Sequence, residues 1–445
     1  MVSRKEMKIN NGKLFLTTAL LLLGVALCFG ILSAITYLYP YFLKEELGFS
    51  ALRPLHVSTA IFWIILGATG CIYYCVEEYT QLRGNNTIAF LQWSLWIIAI
   101  IGILFCYTHH EFGGREYWEF NAIWAIPILI AWILFMINII PLLSTIKKWP
   151  VYFWMWFTGI LFFLFTFLEN YLWTIPYFRE NIILDMTIQW KVNGSLVGAW
   201  NQLLYGTAFY LMDKFDKKKT IGGSKLAFFM YFLGLFNLMF NWGHHIYILP
   251  TEKHIRYIGY LVSMTEWVFF LKIIWNWKKE VDTTRILNKV YSYKFIAATN
   301  IWIFLNMGQA ILMSIPALNL YTHGTHITVA HAMGTTIGIN SMIILASCFT
   351  FLQEDQPTNT RTKRLNIAFW MLQLSLFIFW ITLNWAGLKK GIWQLDPNQS
   401  SFSEMMLGLQ LPFQIIFIAG CGILVSLMIL IHHLLFKIQK SAESR

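Results

Sequence analysis

Histidine, asparagine and glutamate side chains interrupt the apolar stretches of this sequence at only a few places. The principal ones are His56, Asn193, the adjacent pair His244 and His245, Glu266 and His331, with His323 and His326 just ahead of His331. Ionisable and ligating groups are costly inside a bilayer and mark function by default. Imidazole binds iron, copper and zinc, and axial histidines hold heme between packed helices. A lone histidine in such a stretch is more often a hydrogen-bonded core residue. Several at one depth, two of them adjacent, point instead to a metal or heme site.

Whether they share a depth depends on the elements that carry them. The chain has 445 residues, 57% hydrophobic and 12% charged, with a mean hydropathy of +0.56. A soluble domain is about a quarter charged. Apolar runs here repeatedly exceed the ~20 residues that cross ~30 Å of hydrocarbon as a helix. Twelve spans are expected: 14–40, 56–77, 87–107, 121–146, 150–174, 190–212, 225–249, 256–277, 293–317, 326–352, 365–389 and 411–437. Connections are short, and neither an internal repeat nor a low-complexity segment is present. The fold class is therefore all-α, a polytopic bundle forming one integral membrane domain over 1–445. The first span is expected to be retained, not cleaved as a signal sequence.

The charges orient the bundle. Of the 33 Lys and Arg, 23 fall at the termini and in the loops on the terminal side, nine on the other side, and Lys272 within a span. The positive-inside rule puts both termini in the cytoplasm. The formal net charge of +11 is thus a topology signal, with no nucleic-acid partner implied. On this topology His56 opens the second span from outside, and Lys191 and Asn193 open the sixth. His244 and His245 lie near the outer end of the seventh span. Glu266 lies ~15 Å into the eighth, at 1.5 Å per residue. His331 lies one turn into the tenth. Five helices therefore bring ligating or polar residues to the outer third of the membrane. His432 and His433 read as interfacial. Cys28, Cys71, Cys75, Cys106, Cys348 and Cys421 form no C-x-x-C-H motif, so covalent c-type heme is not expected. Cys71 and Cys75 read as a packed core pair.

At these residues the sequence resembles the heme-copper oxidase superfamily, subunit I type, in its nitric oxide reductase branch. Arg53-Pro-Leu-His56, followed by an apolar helix ending in Glu77-Glu78, resembles the family's second helix. The resemblance makes His56 an axial ligand of a low-spin heme. Gly243-His244-His245 resembles the paired histidines of a non-heme metal, iron (or copper). Ser263-Met-Thr-Glu266 resembles the helix supplying a glutamate beside that metal. His323-Gly-Thr-His326 through His331 resembles the tenth helix, whose histidine binds the high-spin heme. It places His326 and Arg53 near the heme propionates. Gly114-Arg115-Glu116 with Glu119 resembles an outer loop whose carboxylates hold calcium; a solvated acidic turn is the alternative. The resemblance runs from about residue 14 to 437. It implies two b-type hemes, a bacterial cytoplasmic membrane, an active site toward the outer side, and a cytochrome c-type subunit or other electron donor docking there.

The departures carry consequences. Asn193 stands where the resemblance expects a third metal-binding histidine, and an amide oxygen ligates iron or copper far more weakly. Family glutamates further along that helix align with Val197 and Asn201. Met333 stands where a second low-spin heme ligand is expected; His/Met ligation raises heme potential, and a packing role is the alternative. Three readings follow: reduction of two NO to nitrous oxide and water; dismutation of NO to dinitrogen and dioxygen, which needs no external electrons; and a heme-binding subunit or sensor without turnover. Oxygen reduction fits less well. No tyrosine stands near His244 at the spacing of a His-Tyr cross-link, and the inner halves of the spans hold few polar residues for a proton path. A transporter would place polar groups at the midplane of broken helices, whereas these lie off centre.

Overall fold

A chain surrounded by hydrocarbon must satisfy its peptide groups within each segment, which selects helices. The computed structural model describes residues 11–215, 221–262, 264–265, 291–352 and 359–443. Its long helices are α1 (Asn11–Leu38), α2 (Gly48–Thr80), α3 (Asn86–Thr108), α4 (Ala125–Ser144), α5 (Val151–Glu169), α6 (Ile182–Phe215), α7 (Lys225–Phe240) and α8 (Tyr291–Ser314). They continue with α9, which starts as His326–Met333, passes through a π-helical stretch Gly334–Ser341 and resumes as Met342–Phe351, then α10 (Asn359–Leu395) and α11 (Gln410–Glu443). No strand occurs among the described residues.

Ten of the described helices are long and apolar enough to cross a membrane. The expected span 190–212 lies within α6, whose 34 residues have the length, but Asp185, Gln189, Lys191, Asn193, Asn201 and Gln202 dilute its hydropathy. The expected span 256–277 lies mostly outside the described residues. Between them, these two account for the difference from twelve.

Contacts between loops sort them into two ends. At one end Lys214 pairs with Glu78 at 2.7 Å, Asn11 donates to Glu77 at 3.1 Å, and the Val151 amide meets the Gly222 carbonyl at 2.8 Å. These loops belong to the Lys/Arg-rich set. At the other end Arg53 pairs with both Glu116 and Glu119, and Arg115 with Asp185.

Burial identifies the central elements. The most apolar window of α2 is 94% buried and that of α9 72%, whereas those of α3 and α10 are 33% buried and present wide faces to lipid. Residues on α2 and α9 interlock along a parallel seam. Trp63 Nε1 donates to Ser341 Oγ at 2.8 Å, and Tyr74 OH to the Phe351 carbonyl at 3.2 Å. A Cβ on Gly67 would lie 2.7 Å from Ile344 Cδ1, so a larger residue there would push Ile344 aside. His56 and Met333 lie about two turns toward the less basic end from Trp63 and Ser341, at similar heights by helical rise.

Candidate metal centre

His56 sits on α2, which the chain enters through Gly48 at φ +58°. Its Nδ1 lies 2.8 Å from the Ala26 carbonyl of α1. That bond requires the proton on Nδ1 and leaves the Nε2 lone pair free, the usual way a metal-ligating imidazole is oriented. The ring packs closely against α1, where a Cβ on Gly30 would come within 2.9 Å of it. These features fit an axial heme ligand.

His331 belongs to the short helical run that Thr325 caps by accepting the Ile327 amide. Its Nδ1 is buried and has no protein partner. One turn deeper, Thr335 Oγ1 donates to the His331 carbonyl at 3.1 Å and accepts from Asn306 Nδ2 at 2.7 Å. The π-helical stretch begins three residues after His331; such stretches recur at functional sites.

His244 and His245 occupy a 3-10 turn, Asn241–Ile246, that tightens the chain after α7. Their ring centroids are 4.1 Å apart. His245 abuts α6: a Cβ on Gly194, the residue after Asn193, would lie 3.3 Å from its Nε2. Trp190, one turn earlier, lies parallel to His245 at 6.3 Å and 11° and edge-on to His323 at 5.7 Å. His245 is also within electrostatic reach of His323 and His331. His323 stands in the loop before α9, and burial holds its pKa below the usual imidazole value. Asn193 is buried, with Nδ2 unpartnered. Among the described residues, no three His, Cys, Asp or Glu side chains close on one point. Glu266 lies outside the described residues.

The loop at the less basic end is organised by cations. Arg53 holds Glu119 at 2.7 Å through Nη1 and Glu116 at 2.9 Å through Nη2. Burial pushes the Glu119 carboxyl above its usual range, against the lowering effect of Arg53. Arg115 reaches both oxygens of Asp185 at 3.1 Å and lies over the Trp173 ring. Lys191 pairs with Glu169. The first turns of α6 thus cover the site from the loop side. His326 faces elsewhere, against Tyr37 and Phe413. Met333 packs in the same neighbourhood, against a cluster that includes Ala330, Leu383 and Phe413. Tyr37 is within electrostatic reach of Arg53, so Arg53, Tyr37, His326 and Met333 border one region.

The profile of the family described as cytochrome c and quinol oxidase polypeptide I matches residues 10–436. The chain belongs to this family. As a subunit I member, it is 24% identical over 447 residues to a nitric oxide reductase subunit of Stutzerimonas stutzeri, covering 93% of this chain and 92% of that one. It is 22% identical to the cytochrome c oxidase subunit 1 of Rhodobacter capsulatus, over 80% of this chain and 70% of that one. A heme-copper terminal oxidase dimer solved by cryo-EM has a similar fold, with a TM-score of 0.74 at 12% identity, covering 97% of this chain and 84% of that one. Family members bind hemes and a metal at a binuclear centre, and are oxidoreductases integral to a membrane.

Within subunit I, the expected residues divide into two groups. His245 packs against Gly194 and Trp190 of α6, beside His244; His326 and Met333 pack with Tyr37 and Phe413, and His56 lies against α1. Sequence reasoning missed Trp190, Gly194 and Gly30. The signal was present: Trp190 lies three residues before Asn193, on the same helical face.

Proposed function

We propose that this chain is the catalytic subunit of a membrane oxidoreductase that converts nitric oxide, joining two NO into nitrous oxide and water with two electrons and two protons. The observation that carries this reading is the packing of His245 against Gly194, beside Asn193 and within reach of His331. A histidine pair there would hold the metal beside the high-spin heme expected on His331. The likeness to the Stutzerimonas stutzeri nitric oxide reductase along nearly the whole chain supports the choice of branch.

The bound groups would supply electron storage and NO binding. His56 and Met333 would hold the low-spin heme, and His331 the high-spin heme. His244, His245 and Glu266 would hold the non-heme iron or copper. Glu116 and Glu119 would hold calcium when Arg53 yields them. The chain's own residues set the conditions. Ala26 fixes the tautomer of His56, Trp190 screens His245 from the loop-side water, and Asn193 offers an amide oxygen to the metal. A cytochrome c-type subunit on the outer face would deliver electrons, and the Lys/Arg-rich end would face the cytoplasm of a bacterial cell.

Asn193 also favours a second reading, dismutation of two NO to dinitrogen and dioxygen. A metal with one imidazole fewer is more open, and this reaction draws on no donor. Anaerobic incubation of purified holoprotein with nitrogen-labelled NO, followed by gas mass spectrometry, separates the two. Nitrous oxide formed only with an electron donor establishes reduction. Labelled dinitrogen and dioxygen without donor establish dismutation. Neither gas, from protein with its hemes and metal in place, overturns both.

A further inference from the structure

Polar side chains join α8 to α10 in a regular series. Lys294 Nζ donates to Asn366 Oδ1 at 2.6 Å, Trp302 Nε1 to Gln373 Oε1 at 2.9 Å, and Trp380 Nε1 to Gln309 Oε1 at 2.8 Å. The partners are 71 or 72 residues apart at every rung, so the two helices run parallel in one register.

Trp302, Asn306 and Gln309 follow one another at i, i+4 and i+7, which places them on one face of α8. That face meets α9. Trp302 seats on Gly338, where a Cβ would lie 2.6 Å from its ring, and Asn306 on Gly334, where a Cβ would lie 2.2 Å from Oδ1. Asn306 Nδ2 donates to Thr335 Oγ1 at 2.7 Å, and Thr335 Oγ1 in turn to the His331 carbonyl at 3.1 Å. Gln309 Nε2 donates to the Ile327 carbonyl at 3.0 Å and to Asn384 Oδ1 of α10 at 2.8 Å. Asn384 Nδ2 closes the circuit on the Trp380 carbonyl at 2.9 Å.

These bonds bracket one residue. In an α-helix the Ile327 carbonyl is the one that accepts the His331 N–H. Gln309 therefore holds the carbonyl at the start of the His331 turn, while Thr335, and through it Asn306, holds the carbonyl at its end. Asn306 and Gln309 are both buried, and Trp380 and Asn384 leave the Gln309 amide one orientation. Hydrogen bonds between membrane helices are often no more than glue between neighbours. Here the two that α8 sends toward α9 both converge on the single turn that carries His331. Partners behind a ligand fix its orientation and are worth about 10–100-fold in affinity for the group it binds.

We propose that Asn306 and Gln309 are positioning residues that clamp the His331 turn of α9, and thereby set the strength with which its imidazole binds the high-spin heme iron. This role rests on the reading that His331 holds that heme; it is independent of the reaction assigned to the heme.

Resonance Raman spectroscopy of the reduced, purified holoprotein reads the iron–histidine stretch of the high-spin heme. In Asn306→Leu, Gln309→Leu and Thr335→Val this band is expected to broaden and move to lower frequency. The high-spin heme is expected to pass to added apomyoglobin about tenfold faster than from the parent. Thr335→Ser, which keeps the hydroxyl, should match the parent. The double variant Asn306→Leu/Thr335→Val should shift no further than either single change, because both break one link. A low-spin heme spectrum equal to the parent's shows that a variant has assembled. If the larger changes do not assemble, the Thr335 pair, which differs by one hydroxyl in its effect on the link, decides. An unshifted band in Gln309→Leu or Thr335→Val, equal shifts in Thr335→Val and Thr335→Ser, or additive shifts in the double variant overturns the clamp. A parent without an iron–histidine band, or a band that survives in His331→Ala, overturns the reading that His331 holds the heme, and the clamp with it.

Discussion

The indole of Trp190 lies parallel to the imidazole of His245, 11° between their planes and 6.3 Å between centroids. The two side chains come from different helical segments, so this pairing ties α6 to the turn that carries the histidine pair. Trp190→Ala frees one face of His245 and opens the site toward the loop at the less basic end. Residues that orient a ligand are worth about 10–100-fold in metal affinity. We expect a loss near the lower end, with Trp190→Phe close to the parent. Metal titration after chelator treatment reads this, and equal affinity in Trp190→Ala and parent would rule out an orienting role.

Gly30 controls the neighbouring region by its lack of a side chain. A methyl group there would press on the His56 ring at 2.9 Å and strain the bond from Nδ1 to the Ala26 carbonyl. Gly30→Ala is expected to weaken the low-spin heme signature in the visible spectrum while leaving the high-spin signature intact. His56→Ala should abolish the former. An unchanged spectrum in both variants would remove His56 from the heme.

Asn193→His returns an imidazole to the position beside His245. Three imidazoles bind iron or copper more tightly than two and an amide. We expect metal retention against chelator to rise by at least about tenfold. Gas analysis of the same variant shows whether the product changes with the ligand. Unaltered retention would show that position 193 does not face the metal.

Glu119 gives the loop at the less basic end a pH dependence. Burial raises its pKa despite Arg53. A carboxyl whose folded pKa exceeds its unfolded one contributes stability that is fully present below the usual carboxylate range. That stability is lost as pH rises through the raised value. Glu119→Gln should flatten the melting temperature across this window. Arg53→Gln leaves burial unopposed, so the loss should become steeper, by about 1 kcal/mol for a pair this exposed. Parallel pH profiles for parent and both variants would contradict the assignment.

Much of the architecture was legible because hydropathy and charge are averaged over whole spans. The ten apolar helices and the two ends of the bundle follow from such averages. The site was legible only in part. His56, His245 and His331 stand out singly, since imidazole is rare in hydrocarbon. Trp190 does not stand out among 21 tryptophans, and its meaning comes only from where α6 meets the turn at His245. Glycines 30, 67 and 194 carry no hydropathy signal, yet each fixes a contact.

The π-helical stretch of α9 changes the angular phase between the two halves of that helix. Residues before Gly334 and after Ser341 are set on faces that an uninterrupted α-helix would not align. The deeper half anchors in the seam with α2, through Ile344 and Phe351. The shallower half carries His331 and Met333. Because the phase is set locally, side chains at the ligand turn can be exchanged without re-registering the anchor. A helix built this way separates the part of the sequence that evolves for chemistry from the part that must stay fixed for assembly, and a methionine at position 333 is the kind of substitution such a separation tolerates.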